Sequence, residues 1–149
     1  MTRTVLLDAG TLGLLTAPPL RQDAHACSQW LAGLIRAKVR VLIPEITDYE
    51  LWRELLRAGK TRSVQRLDAL GDATEYLPIT TPAMRRAAEL WAQARQQGQP
   101  TAADNTIDAD MILAAQALTL EIPDVVIATT NVGHLARFVP AESWQSIVP

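Results

Sequence analysis

Residues 106–120, TIDADMILAAQALTL, constrain the fold more than any other stretch of the chain. The segment begins with two acids and then runs apolar and alanine-rich without proline or glycine, which predicts a helix because Ala, Leu and Met are strong helix formers. Asp110, Ala114 and Ala117 fall on one stripe of that helix. Because Ala114 and Ala117 are small, we expect the helix to lie close to a strand, with Asp110 held at its N-terminal end.

The two acids of this segment, Asp108 and Asp110, are separated by about 200° around a helix. They cannot both point the same way if both are helical. Either one of them faces solvent, or Asp108 precedes the first turn as a cap. A purely structural alternative is that both acids only favour the positive end of the helix dipole.

The size and composition of the chain are those of one ordinary globular domain, residues 1–149, with 48% hydrophobic and 20% charged residues. The formal net charge of −2 gives no overall basic signature for nucleic acid, although a local patch can bind RNA. Cys27 is the single cysteine, which excludes an intrachain disulfide and predicts a small buried hydrophobe. No apolar run reaches membrane-spanning length and the N-terminus lacks a signal-peptide pattern, so a cytoplasmic location without membrane contact is expected.

Short apolar runs alternate with helical patterns along the whole chain. The predicted strands are residues 4–7, 39–43, 75–79 at an edge because of Pro78, 125–128, and one more around 146–148. The predicted helices cover residues 12–15, 22–38, 47–60, 61–70, 81–98 and 106–120, with a loop at 99–105. This alternation predicts an α/β fold with a mostly parallel central sheet flanked by helices.

Four oxygen-bearing side chains are predicted to converge at one edge of that sheet. Asp8 follows the first strand and Asn131 the last strong strand, and the carboxyl ends of parallel strands share an edge. Glu50 and Asp110 lie at the N-terminal ends of helices that begin at the same edge. Carboxylate oxygens are the ligands of Mg²⁺ or Mn²⁺, and without a cation such acids would repel one another. A bound cation would polarise a phosphodiester and lower the pKa of an attacking water.

The segments LLDAGTL, ITDYELWREL, DADMILAAQAL and VVIATTNVGHL, taken in this order, resemble the signature of PIN-domain nucleases. In particular, they resemble the small stand-alone bacterial kind that includes VapC-like toxins. The similarity extends from Asp8 to His134. It implies a Rossmann-like PIN fold and metal-dependent endoribonuclease activity on RNA. Many relatives are neutralised by a cognate antitoxin and form dimers, so an antitoxin and a second copy of the chain are the expected partners.

The resemblance implies that Asp8, Glu50 and Asp110 are the catalytic residues and ligands of Mg²⁺ or Mn²⁺. Asp108 and Asn131 complete the predicted ligand set. Asn131 is a departure, because many relatives have a further acid in this segment and an amide carries no charge. This departure supports an alternative function, a catalytically weak or inactive PIN-like module that binds RNA or protein.

A local basic region is predicted to hold the substrate. Residues 36–66 contain eight Lys or Arg against four Asp or Glu, and Arg53, Arg57 and Lys60 share a helical stripe close to Glu50. Such side chains contact phosphates without specifying sequence. Arg53 and Arg57 are therefore predicted substrate contacts, unless they only pair with acids on a solvated helix face.

Two threonines near the predicted edge, Thr11 and Thr130, are the other predicted substrate contacts. Thr130 and its neighbour Thr129 are expected either to line the pocket or to satisfy the backbone of a turn. Asn131 is itself a common turn residue. His134 is interpreted as structural or peripheral rather than as a general base.

Glu50 has its own structural alternative, since Thr47-x-x-Glu50 is a capping box in which Glu50 would bond back to the backbone N–H of Thr47. A phosphatase of the haloacid dehalogenase type also begins with a strand ending in Asp. That class needs a second Asp two residues later, where this chain has Gly10, and we discount it.

Overall fold

The computed structural model describes residues 3–98 and 104–149, with side chains described for all of these except residues 104–107. The strands are β1 (Thr4–Leu7), β2 (Arg40–Pro44), β3 (Glu75–Leu77), β4 (Val125–Thr129) and β5 (Ala141–Ser143). The helices are α1 (Ala9–Thr16), α2 (Gln22–Arg36), α3 (Glu45–Arg57), α4 (Thr61–Ala73), α5 (Thr81–Gln96), α6 (Asp104–Leu118) and α7 (Val132–Leu135). Of the loop predicted at residues 99–105, residues 99–103 lie outside the described residues, and residues 104 and 105 are helical.

The strands form one parallel sheet in the order β3-β2-β1-β4-β5. The central strand β1 pairs with β2 on one side and with β4 on the other. Its residues are buried on both faces, which is why the run is continuously apolar rather than alternating. The predicted parallel α/β fold is therefore confirmed, including the edge position of β3.

The two faces of the sheet contribute to separate hydrophobic cores. Leu6 belongs to the core that includes residues of α5 and α6, whereas Val5 and Leu7 belong to the core that includes residues of α1, α2 and α4, as expected from the alternation of side chains along a strand. Cys27 lies fully buried in the second core. Burial raises the pKa of its thiol to about 12, and the prediction of a small buried hydrophobe is confirmed.

Helix α6 packs closely because its inner residues are small. Ala114 and Ala117 are buried, as the sequence pattern predicted, and Ala115 is fully buried as well. Gln116, 2% exposed, uses both ends of its side chain: Nε2 donates to the Leu77 carbonyl at 2.9 Å and Oε1 accepts from the Ile46 N–H at 3.4 Å. These bonds connect α6 to the end of β3 and to the first turn of α3. The helix that carries Asp110 is thereby fixed relative to the helix that carries Glu50.

The strand predicted around residues 146–148 is wrong. The last strand is β5, and Trp144–Ser146 form a 3-10 helix immediately after it. Trp144 is buried and meets the Trp30 ring edge-on, with 5.7 Å between the ring centroids. The Trp30 indole N–H also donates to the Ile147 carbonyl at 2.9 Å. Packing of these two aromatic rings, rather than strand pairing, therefore fixes the chain here.

In the described part of the chain, no helix is both long enough and apolar enough to cross a membrane.

Candidate metal centre

Asp8 stands at the carboxyl end of the central strand, and both of its carboxylate oxygens are engaged. Oδ1 accepts from the backbone N–H of Thr11 at 2.8 Å, so Asp8 is the N-cap of α1. Oδ2 accepts from the hydroxyl of Thr129 at 2.5 Å. These two bonds fix the carboxylate between β1 and β4.

Thr11 is fully buried and its hydroxyl donates to the Ala128 carbonyl at 3.0 Å. A side chain in this position cannot reach a substrate. The predicted substrate contact at Thr11 is therefore corrected: its amide orients Asp8, and its hydroxyl connects α1 to β4.

Glu50 lies inside α3 and is half-buried. The helix begins at Glu45, two residues earlier than predicted, and the hydroxyl of Thr47 donates to the Pro44 carbonyl at 2.9 Å. The capping box is therefore wrong, because Thr47 is not the N-cap. Burial raises the pKa of Glu50, repulsion from Asp110 and Asp8 raises it further, and the positive charge of Arg53 opposes the rise.

Asp110 projects from α6 with 34% of its side chain exposed, and its Oδ2 lies 3.6 Å from His134 Nδ1. Burial raises the pKa of Asp110; His134 and Arg137 lower it, and the negative charge of Asp8 raises it. Asp8, Glu50 and Asp110 thus come from three separate elements and act on one another electrostatically. This is the convergence that the sheet-edge argument predicted.

Asp108 is not brought into this cluster. Helix α6 begins at Asp104, so Asp108 is helical and cannot be a cap before the first turn. Its side chain is exposed while that of Asp110 is half-buried. Two residues separate the pair by about 200°, and of the two alternatives the solvent-facing one is correct.

Asn131 follows β4 at the same edge as Asp8 and is exposed. Its backbone N–H donates to the Thr129 hydroxyl oxygen at 2.9 Å, and its side chain makes no capping bond to α7. Thr129 thus joins Asp8 to the turn that carries Asn131. Thr129 is 1% exposed and accepts from the backbone of the turn, as one of its two predicted roles required, whereas its bond to Asp8 was not predicted. The available signal was a hydroxyl at the end of an otherwise apolar strand.

Thr130 is exposed at this edge and lies directly over Gly10. A Cβ added to Gly10 would lie 2.2 Å from Thr130 Oγ1, so the absence of a side chain at position 10 permits this close approach. Thr130 is therefore held near Asp8 in an exposed position, which suits the predicted substrate contact.

His134 was interpreted from the sequence as structural or peripheral. The structure places it beside Asp110, with 58% of its side chain exposed, on the short helix α7 that begins after Asn131. The relevant signal was its distance of three residues from Asn131, which is about one helical turn.

The two predicted arginine contacts on α3 are both exposed. The guanidinium of Arg53 lies over the ring of Tyr49, 5.0 Å from its centroid. Arg57 forms an ion pair with Glu54 on the solvated face of the helix. Pairing with an acid is thus correct for Arg57, whereas Arg53 acts on Glu50 by lowering its pKa.

Among the described residues, no group of three Asp, Glu, His or Cys side chains is arranged to hold a metal ion directly. The chemistry of the cluster nevertheless suits a hard divalent cation, because burial, together with the negative charges of neighbouring carboxylates, raises the pKa of both Glu50 and Asp110. Mg²⁺ keeps several waters and commonly takes only one or two carboxylates from a protein. The residues present fit a hydrated divalent cation better than a closed cage of three direct ligands.

The family model of the PIN domain matches residues 6–137. This range includes the sheet edge and every candidate residue described above. The protein therefore belongs to the PIN domain family. Among proteins with curated descriptions, none matches this chain.

Several solved structures share the fold over nearly the whole chain. VapBC2 from Rickettsia felis, bound to a DNA fragment from its promoter, is 15% identical with a TM-score of 0.67, covering 95% of this chain and 98% of its own. VapBC-1 from nontypeable Haemophilus influenzae is 16% identical with a TM-score of 0.66, covering 96% and 99%. DNA-bound VapBC from Salmonella typhimurium is 21% identical with a TM-score of 0.64, covering 97% and 99%. At these identities the similarity establishes the fold.

Proposed function

We propose that this protein is a metal-dependent endoribonuclease that hydrolyses RNA phosphodiesters. The observation that carries the proposal is the meeting of Asp8, Glu50 and Asp110 at the carboxyl edge, where burial and repulsion raise the pKa of Glu50 and Asp110. Carboxyl groups whose pKa is raised by their surroundings are typical of functional sites. Membership of the PIN domain family, whose members are generally nucleases, supports the same activity.

Each residue has a role in this proposal. Asp8, Glu50 and Asp110 hold Mg²⁺ or Mn²⁺ directly or through water, and Asp8 is pre-oriented by its two hydrogen bonds. The cation supplies polarisation of the phosphodiester and a lower pKa for the attacking water. Asn131 and Thr130 lie exposed at the rim, where they contact the RNA or a water of the ion.

We further propose that the enzyme is the toxin of a toxin–antitoxin pair in the cytoplasm. The support is the fold, which it shares with VapBC structures from three bacteria. A cognate antitoxin and a second copy of the chain are its proposed partners. Copurification with the product of an adjacent gene tests the first, and the mass of the purified protein in solution tests the second.

A second candidate function is a PIN-like module that binds RNA or protein without cleaving it. The specific observation in its favour is the neutral amide of Asn131, which is exposed next to Thr129 at the sheet edge where an acid would add a ligand. This candidate predicts RNA binding that needs no divalent cation and no cleavage at any concentration of Mn²⁺.

RNA cleavage by the wild type, with Mn²⁺ and with a chelator, separates the two functions. We expect cleavage only with Mn²⁺, and loss of cleavage in Glu50→Gln. Glu54→Gln is the matched control, since Glu54 lies one turn further along α3 in an exposed ion pair with Arg57. Cleavage that persists in the chelator, or in Glu50→Gln, would exclude the proposed site.

A further inference from the structure

A second polar feature lies away from the carboxylates, between the end of α1 and the turn that joins α3 to α4. It is a cleft of about 480 Å³, lined by Lys60, Arg62 and Arg66 together with Pro18, Thr61 and Ser63. None of the described residues that line it is acidic. We call it the basic cleft.

The backbone fixes where the basic cleft opens. Gly59 has a φ of +67°, the left-handed conformation that glycine adopts without strain. The N–H of Gly59 donates to the Leu56 carbonyl and the N–H of Lys60 donates to the Leu55 carbonyl, at 3.1 and 3.0 Å. This pair of bonds is a Schellman motif. The motif ends α3 and sets the position of Lys60 relative to α4.

Of the three basic side chains in the cleft, one is held by hydrogen bonds and two are exposed without an ion pair among the described residues. The Nη1 of Arg66 donates to the Thr16 carbonyl at 3.1 Å and lies 3.4 Å from the hydroxyl oxygen of Ser63, so its guanidinium is held in place. Lys60 and Arg62 are exposed and form no ion pair with any described residue. Lys60 acts only at longer range, helping to lower the pKa of Glu54.

A chain with a formal net charge of −2 and a carboxylate cluster at its site repels a polyanion unless a local positive surface compensates. The basic cleft is such a surface. It is connected to the site by α1, which is capped by Asp8 and ends at Thr16, the partner of Arg66. Eight helical residues span about 12 Å, so a polynucleotide is long enough to occupy both places.

We propose that the basic cleft binds a backbone phosphate of the RNA at a distance from the phosphodiester that is cleaved. The inference rests on the proposed function and adds a substrate subsite to it. Arg66 offers a pre-positioned guanidinium, and Lys60 and Arg62 add charge that follows the backbone. Contacts of this kind set the register of the RNA without selecting its sequence.

The test measures RNA binding by the whole chain without divalent cation, so that no cleavage occurs. Fluorescence anisotropy with a labelled RNA of about 20 nucleotides gives the binding constant between about 50 and 200 mM salt. For Lys60→Gln/Arg62→Gln we expect the slope of log Kobs against log salt to fall by about 1.4, which is about 0.7 for each phosphate contact to a single strand. Between the lowest and the highest salt concentration, the factor by which RNA affinity falls should therefore be about seven times smaller for the double variant than for the wild type.

The matched control is Arg36→Gln/Arg85→Gln, which removes two exposed positive charges from α2 and α5. The inference predicts a wild-type slope for this control. It is overturned if the control loses as much slope as the double variant, or if the double variant keeps the wild-type slope. It is also overturned if inorganic phosphate alone displaces the RNA at millimolar concentration, because the cleft would then take a free phosphate. Cleavage with Mn²⁺ is scored separately, so failure of the subsite and failure of the nuclease are distinguishable.

Discussion

We expect Asp110→Asn to lower metal-dependent RNA cleavage by more than about a hundredfold, beyond the usual effect of changing a residue behind a metal ligand. The same substitution should raise the stability of the metal-free protein. Asp110 is half-buried, and burial together with the negative charge of Asp8 raises its pKa despite the opposing influence of His134 and Arg137. The ionised carboxylate therefore destabilises the folded protein, and an amide removes that cost.

The pH dependence of stability has a definite sign here. Because the pKa of Asp110 is raised by folding, the folded protein holds more protons than the unfolded chain between the two pKa values, and the free energy of unfolding falls as pH rises through that interval. Below the pKa of the unfolded state, Asp110 is protonated in both states and does not change the free energy of unfolding. Above the pKa of the folded state, Asp110 is ionised in both states and lowers the free energy of unfolding by its full amount. The stability gained by Asp110→Asn should therefore grow from acid to neutral pH.

Urea unfolding in the presence of a chelator, at several pH values, measures this difference. Asp8→Asn provides the contrast, because Asp8 accepts hydrogen bonds from the Thr11 amide and the Thr129 hydroxyl. An amide N–H₂ there would face a donor, so Asp8→Asn should lose activity and also about 1–3 kcal/mol of stability. A metal-free Asp110→Asn protein less stable than the wild type at neutral pH would contradict the electrostatic description of the cluster.

We expect Thr129→Val to lower Mn²⁺ affinity and RNA cleavage by about 10- to 100-fold, although Thr129 itself is not a predicted metal ligand. Its buried hydroxyl donates to Asp8 Oδ2 and accepts from the Asn131 N–H, so one side chain orients the carboxylate and the turn beside it. Valine has the same shape but makes neither bond. The loss of stability should be about 1–3 kcal/mol.

Thr129→Ser is the control for this substitution, since it keeps the hydroxyl and removes only a methyl group. Mn²⁺ titration and cleavage rates of both variants separate orientation from packing, because serine should retain most of the affinity that valine loses. Equal losses in the two variants would mean that the methyl group, rather than the hydrogen bonds, supports the site.

The parts of the fold that follow from local pattern could be predicted from the sequence. Strand β1 matches its predicted residues 4–7 because an apolar run bounded by polar residues has few alternatives at the centre of a sheet. The small residues Ala114 and Ala117, on the same stripe as Asp110, correctly predicted the buried face of α6. The strand predicted at residues 146–148 failed because Ile147 is held by a hydrogen bond from the Trp30 indole, which is far away in the sequence.

In the candidate site, too, some features follow from the sequence pattern and others depend on contacts between distant residues. The meeting of Asp8, Glu50 and Asp110 follows from the rule that parallel strands share a carboxyl edge, and the structure brings the three together electrostatically. The hydrogen bond from Thr129 to Asp8 and the approach of His134 to Asp110 could not be predicted, because each is a side-chain contact made across elements.

Binding of Mn²⁺ by the wild type, measured directly by electron paramagnetic resonance, tests the central claim that the carboxylate cluster is a metal centre. Glu50→Gln and Glu54→Gln remove the same charge from the same helix, but only Glu50 belongs to the cluster. We predict saturable binding of Mn²⁺ by the wild type and by Glu54→Gln, and affinity lower by about tenfold or more in Glu50→Gln. Equal affinity in all three proteins, or no saturable binding by the wild type, would contradict the claim.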